Sequence, residues 1–501
     1  MKRPIALLFF AFVVAIAGLS ADILAQPRSL AILHTNDMHA TFVPREAVWV
    51  RTQPRPLVGG FTELAFTIDS IRQTRSDVLL VDCGDVMTGN PITERIYEGA
   101  SGGALIAMMN LMGYDAWCIG NHDLDISQAN LVALASVAKF PTLCANLVDD
   151  RGQLPLRNIP YTIVERNGLR VGIIGLITQE LYSLVIQSNL TGLRVLSPEE
   201  TAQKYVDELR PKTDLVIVLT HQGAQEDSML AEAVKGLDMI IGGHSHTRIR
   251  VPRVVNGVYI VQTGSNTENL GVVTLNVEKH ELTDVKGRLI QLWAGKKRPA
   301  SAVSAIVDSM QAEIEKEYSE EIGMLHGDWV RGGSSSAIGS YITNAQREAV
   351  RADVGFMNIH GIRKDIPAGP IRKKDLFEAL PFRNVLATFQ LTGKQLLGVL
   401  EYAARTSSPI HVAGVEGTWK FACDSTIEFQ DVRVSGNALD MDRAYSCVAS
   451  DYLMGEAQRY LGVVPEKVIY LERTLFETVE RRIRDDHDIT PAVLPSLHHA
   501  R

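Results

Sequence analysis

The feature that most constrains this chain is a recurring one: short, wholly apolar runs stop abruptly at polar residues able to hold a metal ion or move a proton. Ala116-Trp117-Cys118-Ile119 runs straight into Gly120-Asn121-His122-Asp123-Leu124-Asp125, which supplies a carboxamide, an imidazole and two carboxylates. Continuous apolar strands belong to sheets covered on both faces, and in open α/β sheets ligands gather at the carboxyl ends of the strands. Four more runs end the same way. Residues 30–33 lead into His34-Thr35-Asn36-Asp37-Met38-His39, and 78–81 into Asp82-Cys83-Gly84-Asp85. Residues 214–219 lead into Thr220-His221-Gln222-Gly223, and 237–241 into Gly242-Gly243-His244-Ser245-His246. On an extended backbone residues two apart share a side, which predicts that one cation can bind both Asp37 and His39, and that His244 and His246 share a face.

Between these runs lie helix-like segments, for example 104–112, and further strand-like runs at 140–146, 169–177 and 258–261. Strands interleaved with helices predict an α/β layered fold in which the five strand ends converge. The pattern changes near residue 301. Val303, Ile306, Val307, Met310 and Ile314 follow a helical spacing with charges on the other faces, an amphipathic helix that packs on a domain. Beyond it, strands expected at 354–357, 385–391 and 445–449 mix with helices at 338–349, 394–404 and 471–484, a separate α+β domain. At 501 residues the chain exceeds what one core normally supports, so two domains are expected.

At the start, Lys2 and Arg3 precede an apolar run over 5–19 and small residues near Ala21 and Ala25. That run is shorter than the ~20 residues that span a bilayer and reads as a signal peptide, residues 1–25, with no stable membrane anchor. Export to the periplasm or medium follows. A formal net charge of −8 makes a nucleic acid polymer an unsuitable partner. Five scattered cysteines form no disulfide scaffold. Cys83, Cys118 and Cys144 read as buried apolar residues, and an export route permits a bridge between Cys423 and Cys447. The His498-His499 end reads as a tail without regular structure.

Seven residues carry the metal chemistry: Asp37, His39, Asp85, Asn121, His221, His244 and His246. Nitrogen and oxygen donors without a thiolate suit two borderline divalent cations, zinc, manganese, iron or cobalt. Such a pair at about 3.5–4 Å needs a bridging ligand, for which Asp85 is the candidate, and a water between the cations becomes a hydroxide nucleophile near neutral pH. Two aspartates leave positive charge uncompensated, the field a phosphate dianion seeks. His122 stands over the site to protonate the leaving oxygen, Asp125 fixes its ring, and Asp123 is structural.

The motifs Asp37-x-His39, Gly84-Asp85, Gly120-Asn121-His122-Asp123, His221 and Gly243-His244-Ser245-His246 resemble those of the calcineurin-like metallophosphoesterases. Leu33-His34-Thr35-Asn36-Asp37 and Asn121-His122-x-x-Asp125 resemble the exported 5'-nucleotidase branch. So do Asn358-Ile359-His360-Gly361-Ile362-Arg363, Ile366-Pro367-Ala368-Gly369 and Leu380-Pro381-Phe382-Arg383-Asn384. The resemblance implies an αββα catalytic domain over 26–298, a linker helix over 299–325, a mobile substrate-binding α+β domain over 326–491 and a tail over 492–501. It implies that Asp37, His39, Asp85 and His246 hold one metal, and Asp85, Asn121, His221 and His244 the other. His122 and Asp125 become the catalytic pair. Asn358 and Arg363 join the substrate site, Arg363 on phosphate, with Phe382 and Tyr452 on either side of a base.

The implied activity is hydrolysis of nucleotide phosphate monoesters. A UDP-sugar hydrolase, a 2',3'-cyclic nucleotide phosphodiesterase, another phosphoesterase, or an inactive binding protein are its alternatives. The last is disfavoured because no ligand position has been lost. Three departures fall on nucleoside recognition and spare the metal motifs. Ile359 and His360 interrupt a glycine run, Leu453-Met454-Gly455-Glu456-Ala457-Gln458 replaces a Gly-Gly-Asp, and Asn344 stands for an aspartate.

Overall fold

The computed structural model describes residues 28–493 apart from 53, 279–280, 333–335, 407–409 and 423–425, together with the backbone of 497–499. The expected signal peptide and Cys423 lie outside the described residues.

Two sheets carry the first half. In chain order their strands are β1 (Arg28–Thr35), β2 (Val78–Asp82), β3 (Ala116–Cys118), β4 (Thr142–Leu143), β5 (Tyr161–Arg166), β6 (Leu169–Ile177), β7 (Leu215–His221), β8 (Met239–Gly242), β9 (Arg253–Val255), β10 (Val258–Val261), β11 (Asn269–Glu278) and β12 (Glu281–Gln291). The first sheet runs β12-β11-β1-β2-β3-β4 and the second β5-β6-β7-β8-β10-β9. Alternation along β1 shows why both faces need cover. Leu30 and Ile32 enter the layer between the sheets, Ala31 and Leu33 enter a layer of helices, and all four are fully buried. On β7, Leu215, Ile217 and Leu219 meet the same inter-sheet layer while Val216 and Val218 face the opposite helices. Each such Leu, Ile or Val side chain contributes roughly 1.5–3 kcal/mol on burial.

Helices α1 (Phe61–Arg72), α2 (Gly103–Met112) and α3 (Gln128–Val137) cover the first sheet, and α4 (Pro198–Leu209) and α5 (Ala224–Ala233) the second. The result is the expected αββα stack. The linker helix α6 (Ala302–Tyr318) buries Val303, Val307, Met310 and Ile314 in the core of the first half, while Tyr318 meets Phe377 of the second at 5.6 Å. Parallel register aligns the working ends: Thr35 pairs with Asp82, Asp82 with Trp117, and Thr220 with Gly242. His221 Nδ1 bonds Cys83 O at 2.6 Å and so ties the two sheets together at that end.

The second half builds a five-stranded sheet in the order Ile410–Ala413, Val354–Asn358, Ala444–Ser450, Val385–Thr392 and Ile469–Thr474, with an apolar cluster on each face. It docks on the first half through Tyr452 Oη to Ser183 O at 2.6 Å, Arg383 Nε to Glu94 at 3.0 Å and Asn90 to Glu378 at 3.3 Å.

Three expectations are corrected. The helix expected over 471–484 is a strand to Thr474 and then a helix Leu475–Asp486. A capping box starts it there, Thr474 Oγ1 accepting from Glu477 N at 3.1 Å and the Glu477 carboxylate accepting from Thr474 N at 3.0 Å. The strand expected over 140–146 shrinks to β4, because the Asn146 side chain turns to the backbone of Ile177 at 2.7 and 2.9 Å. At the end of the chain Leu497–His499 pairs parallel with Val415–Phe421 and so has regular structure. Cys83, Cys118, Cys144 and Cys447 are buried free thiols.

His34 gives a pH-dependent stability. It is buried opposite Gly271, whose missing side chain leaves room for the ring, and its Nδ1 has no hydrogen-bond partner. Burial pushes its pKa down to about 3. Stability from a neutral His34 is complete above the unfolded value of about 6.5 and is lost as pH falls towards 3. Urea midpoints of wild type and His34→Leu between pH 7 and pH 4 are expected to show a shallower acid loss in the variant.

Candidate metal centre and active site

Each donor stands at or just past a strand end, His221 as the last residue of β7, and five of the seven do so in an uncommon backbone state. Asp37 (φ 50°), His39 (φ 46°), Asp85 (φ 57°), His244 (φ 76°) and His246 (φ 53°) are all left-handed. The extended backbone expected to pair Asp37 with His39 is therefore corrected. The donors converge through tight turns, each costing on the order of 1–3 kcal/mol that the surrounding bonds must hold in place. Those bonds are present. The Asp37 carboxylate accepts from Asn36 Nδ2 at 2.6 Å and from His244 N at 2.9 Å, and its carbonyl accepts from Asn266 N at 2.7 Å.

Three overlapping donor groups result: Asp37, His39 and His246; His39, Asp85 and His122; and Asp85, His221 and His244. His39 Nε2 lies 2.9 Å from His246 Nε2, and His246 Nε2 lies 3.4 Å from Asp37 Oδ1. On the other side His221 Nε2 lies 3.1 Å from Asp85 Oδ2, and the His221 and His244 rings are 5.2 Å apart. Asp85 thus belongs to both lobes. The donor set fits a pair of cations, because buried lone pairs here lack partners: Asn121 Oδ1 and His221 Nε2 are buried without a hydrogen bond, an arrangement a folded chain avoids unless something else binds there.

Electrostatics favour the donor form of Asp85, His39 and His244. For His221 burial acts downward, but the Asp85 and Asp37 carboxylates outweigh it and raise it to about 10, so a cation there displaces a proton. Burial would raise the Asp85 carboxyl, but His221 and His122 outweigh it and hold it well below the usual range. Burial and the neighbouring His246 keep His39 neutral, well below the ordinary imidazole value. Burial and His221 push His244 down to about 4. For His122 burial acts downward, yet the carboxylates of Asp125 and Asp85 leave it raised.

Two glycines let the strand ends touch. A Cβ on Gly84, at φ 89°, would meet Gly120 N at 2.6 Å and His221 Nδ1 at 2.8 Å, and one on Gly120 would strike the Asp85 amide and carboxylate. Asp123 braces the same junction. Its carboxylate accepts from Gly120 N at 2.8 Å, Val86 N at 3.0 Å, and Asp85 N and Met87 N at 3.1 Å, so it is structural as expected. Asp123→Ala orphans four buried N–H groups, each costing about 1–3 kcal/mol. Chemical unfolding should show a loss of about 3 kcal/mol or more, together with weaker metal retention.

His122 lies beside the donors, its ring 5.3 Å from that of His39, and its Nδ1 lies 2.7 Å from Asp125 Oδ2. Phe382 of the second half stacks on it at 5.6 Å, and Arg363 lies 5.8 Å over Phe382. Asn358, Arg363, Phe382 and Tyr452 all line one cavity of about 630 Å³ with Asp85, Asn121, His122, Asp125, His244 and His246. Asn358 Oδ1 is buried there without a partner. Another cavity, of about 720 Å³, opens at Arg210 and Asp238 by the opposite ends of β7 and β8 and carries no such donor group. Sequence reasoning missed Asn36, Thr88, Asn189 and the Arg383–Glu94 pair. Asn36 and Arg383, each inside a recognised motif, carried some signal, and Thr88, Asn189 and Glu94 carried none.

Comparison with known proteins agrees on both halves. Residues 30–248 match the calcineurin-like phosphoesterase model and 322–462 the 5'-nucleotidase C-terminal domain model. An apyrase of Tabanus yao is 30% identical over 75% of this chain and 73% of its own. A 5'-nucleotidase of Vibrio cholerae serotype O1 is 28% identical over 83% of both chains. The structure of a 5'-nucleotidase precursor from Thermus thermophilus superposes with a TM-score of 0.80 at 24% identity, covering 94% of this chain and 99% of that one. Among the described residues no helix is long and apolar enough to cross a membrane. With a donor cluster at the strand ends and a second domain closing over it, the chain is a phosphoesterase hydrolase and belongs to the 5'-nucleotidase family of calcineurin-like metallophosphoesterases.

Proposed function

We propose that this protein is an exported, two-metal 5'-nucleotidase that hydrolyses nucleotide phosphate monoesters. One observation carries the reading: Asp85 and Asn121 from the first sheet, His244 and His246 from the second, and Asn358, Arg363, Phe382 and Tyr452 from the second half line a single cavity, with Asn121 Oδ1 and Asn358 Oδ1 buried there without a partner. Asp37, His39, Asp85 and His246 would hold one cation, and Asp85, Asn121, His221 and His244 the other, within a catalytic domain at 26–298 and a substrate domain at 326–491. Zinc, manganese, iron or cobalt suits such donors. When bound, the cations supply a hydroxide nucleophile at neutral pH and neutralise phosphoryl charge.

The chain's own groups do the rest. Arg363 offers a planar fork to the phosphate. Asp125 accepts the Nδ1 proton of His122, which leaves Nε2 to give a proton to the departing ester oxygen. Phe382 covers that imidazole and keeps water away from it. Beyond the phosphate, Phe382 and Tyr452 are positioned to flank a base, and Asn358 Oδ1 to accept from the nucleoside. Export rests on the Lys2-Arg3 start and the apolar run after it.

Phosphate release from AMP, UDP-glucose, 2',3'-cyclic AMP and a plain aryl phosphate, each with added manganese, tests the assignment. AMP is expected to be the best substrate. Equal rates on AMP and the aryl phosphate would overturn the nucleotide claim, and a preference for UDP-glucose or the cyclic ester would move the enzyme to a sister activity on this scaffold.

A further inference from the structure

Asp125 aims His122, and its carboxylate is itself held. Thr88 Oγ1 donates to Asp125 Oδ2 at 2.6 Å, the same oxygen that meets His122 Nδ1. The main chain of the pair is fixed separately, Asn189 Nδ2 donating to Leu124 O at 3.0 Å and to Asp125 O at 2.9 Å. Thr88 Oγ1 reaches the main chain only at His122 O, 3.5 Å away, so the backbone is placed chiefly by Asn189, and the short bond of the hydroxyl sets the rotation of the carboxylate.

Thr88 occupies this place at a cost. It is buried at φ 66°, a conformation that β-branched residues rarely adopt. It cannot relax easily, because Met87 N is tied to Asp123 and Gly89 is pressed on the His39 carbonyl, which a Cβ there would meet at 2.6 Å. Glycine or asparagine would suit the turn better. Backbone strain that persists beside reacting groups points to a task for the strained residue.

We propose that Thr88 is a positioning residue for the His122–Asp125 pair. Its hydroxyl holds Oδ2 in line with Nδ1, which keeps the opposite ring nitrogen on the leaving ester oxygen. This rests on the reading of His122 as proton donor, and predicts a defect confined to substrates whose leaving group needs that proton. A merely structural threonine would affect all substrates alike.

The test compares kcat and KM of Thr88→Val, Thr88→Ser and His122→Asn on AMP, with an alkoxide leaving group, and on 4-nitrophenyl phosphate, which needs little protonation. Thr88→Val keeps the branched shape and is expected to lose about tenfold or more in kcat on AMP, with KM within about twofold and kcat on the aryl ester within about twofold. Thr88→Ser keeps the hydroxyl and should stay within about threefold of wild type on both. Should Thr88→Val not fold, Thr88→Gly, which suits φ 66°, is expected to give the same selective loss. Equal losses on both esters, or a selective loss in His122→Asn that neither Thr88→Val nor Thr88→Gly shares, would overturn the role of Thr88 alone. A His122→Asn enzyme without any selectivity would remove the proton-donor reading, and this proposal with it.

Discussion

Asp85→Asn is expected to slow phosphate release from AMP by at least about a thousandfold, because on the proposed two-metal reading both cations would lose their shared charge while the polypeptide keeps its fold. Asp85 Oδ2 stands 3.1 Å from His221 Nε2 and 4.0 Å from His39 Nε2, one in each lobe of the donor cluster. Its other oxygen accepts from His122 N at 2.8 Å, a bond an amide oxygen reproduces. Circular dichroism and the unfolding midpoint should therefore change little, while elemental analysis after gel filtration shows at least one divalent ion fewer per chain. A variant that keeps full metal content and activity would make Asp85 an ordinary turn residue.

His122→Asn should also slow turnover of AMP by about a thousandfold, within the range a positioned general acid supplies. Here, unlike Asp85→Asn, metal content stays unchanged. That contrast matters because His122 lies close enough to His39 and Asp85 to form a donor group with them. The hydrogen bond of its Nδ1 to Asp125, and Phe382 stacked on its ring, favour the proton-transfer role. Loss of a cation from His122→Asn would reassign it as a ligand. Unaltered turnover would remove it from the mechanism.

The strand ends were legible because an apolar run must stop where water or a ligand begins, and the five runs stopped at donors. β6 matches its expected bounds, and β1, β2 and β7 differ by only a few residues. What the pattern could not carry was backbone handedness. Asp37 and His39 do share a centre, but through left-handed turns, which depend on partners as remote in sequence as Asn266 and His244. The hairpin of β11 and β12 escaped notice because half of β12 faces solvent and its residues carry no apolar run. Thr88 was invisible for a related reason: a lone threonine before a glycine acquires meaning only when Asp125, 37 residues away, is folded against it. Contacts between the halves, such as Arg383 with Glu94, likewise arise from docking that no local pattern encodes.

The central claim is that ends of strands from two sheets form one cradle for two cations. Manganese titration of chelator-stripped, full-length protein, followed by phosphate release from AMP, tests it most directly. No turnover without metal and full recovery at about two equivalents per chain is the predicted result. Full turnover in the stripped protein, or complete recovery at one equivalent, would contradict it.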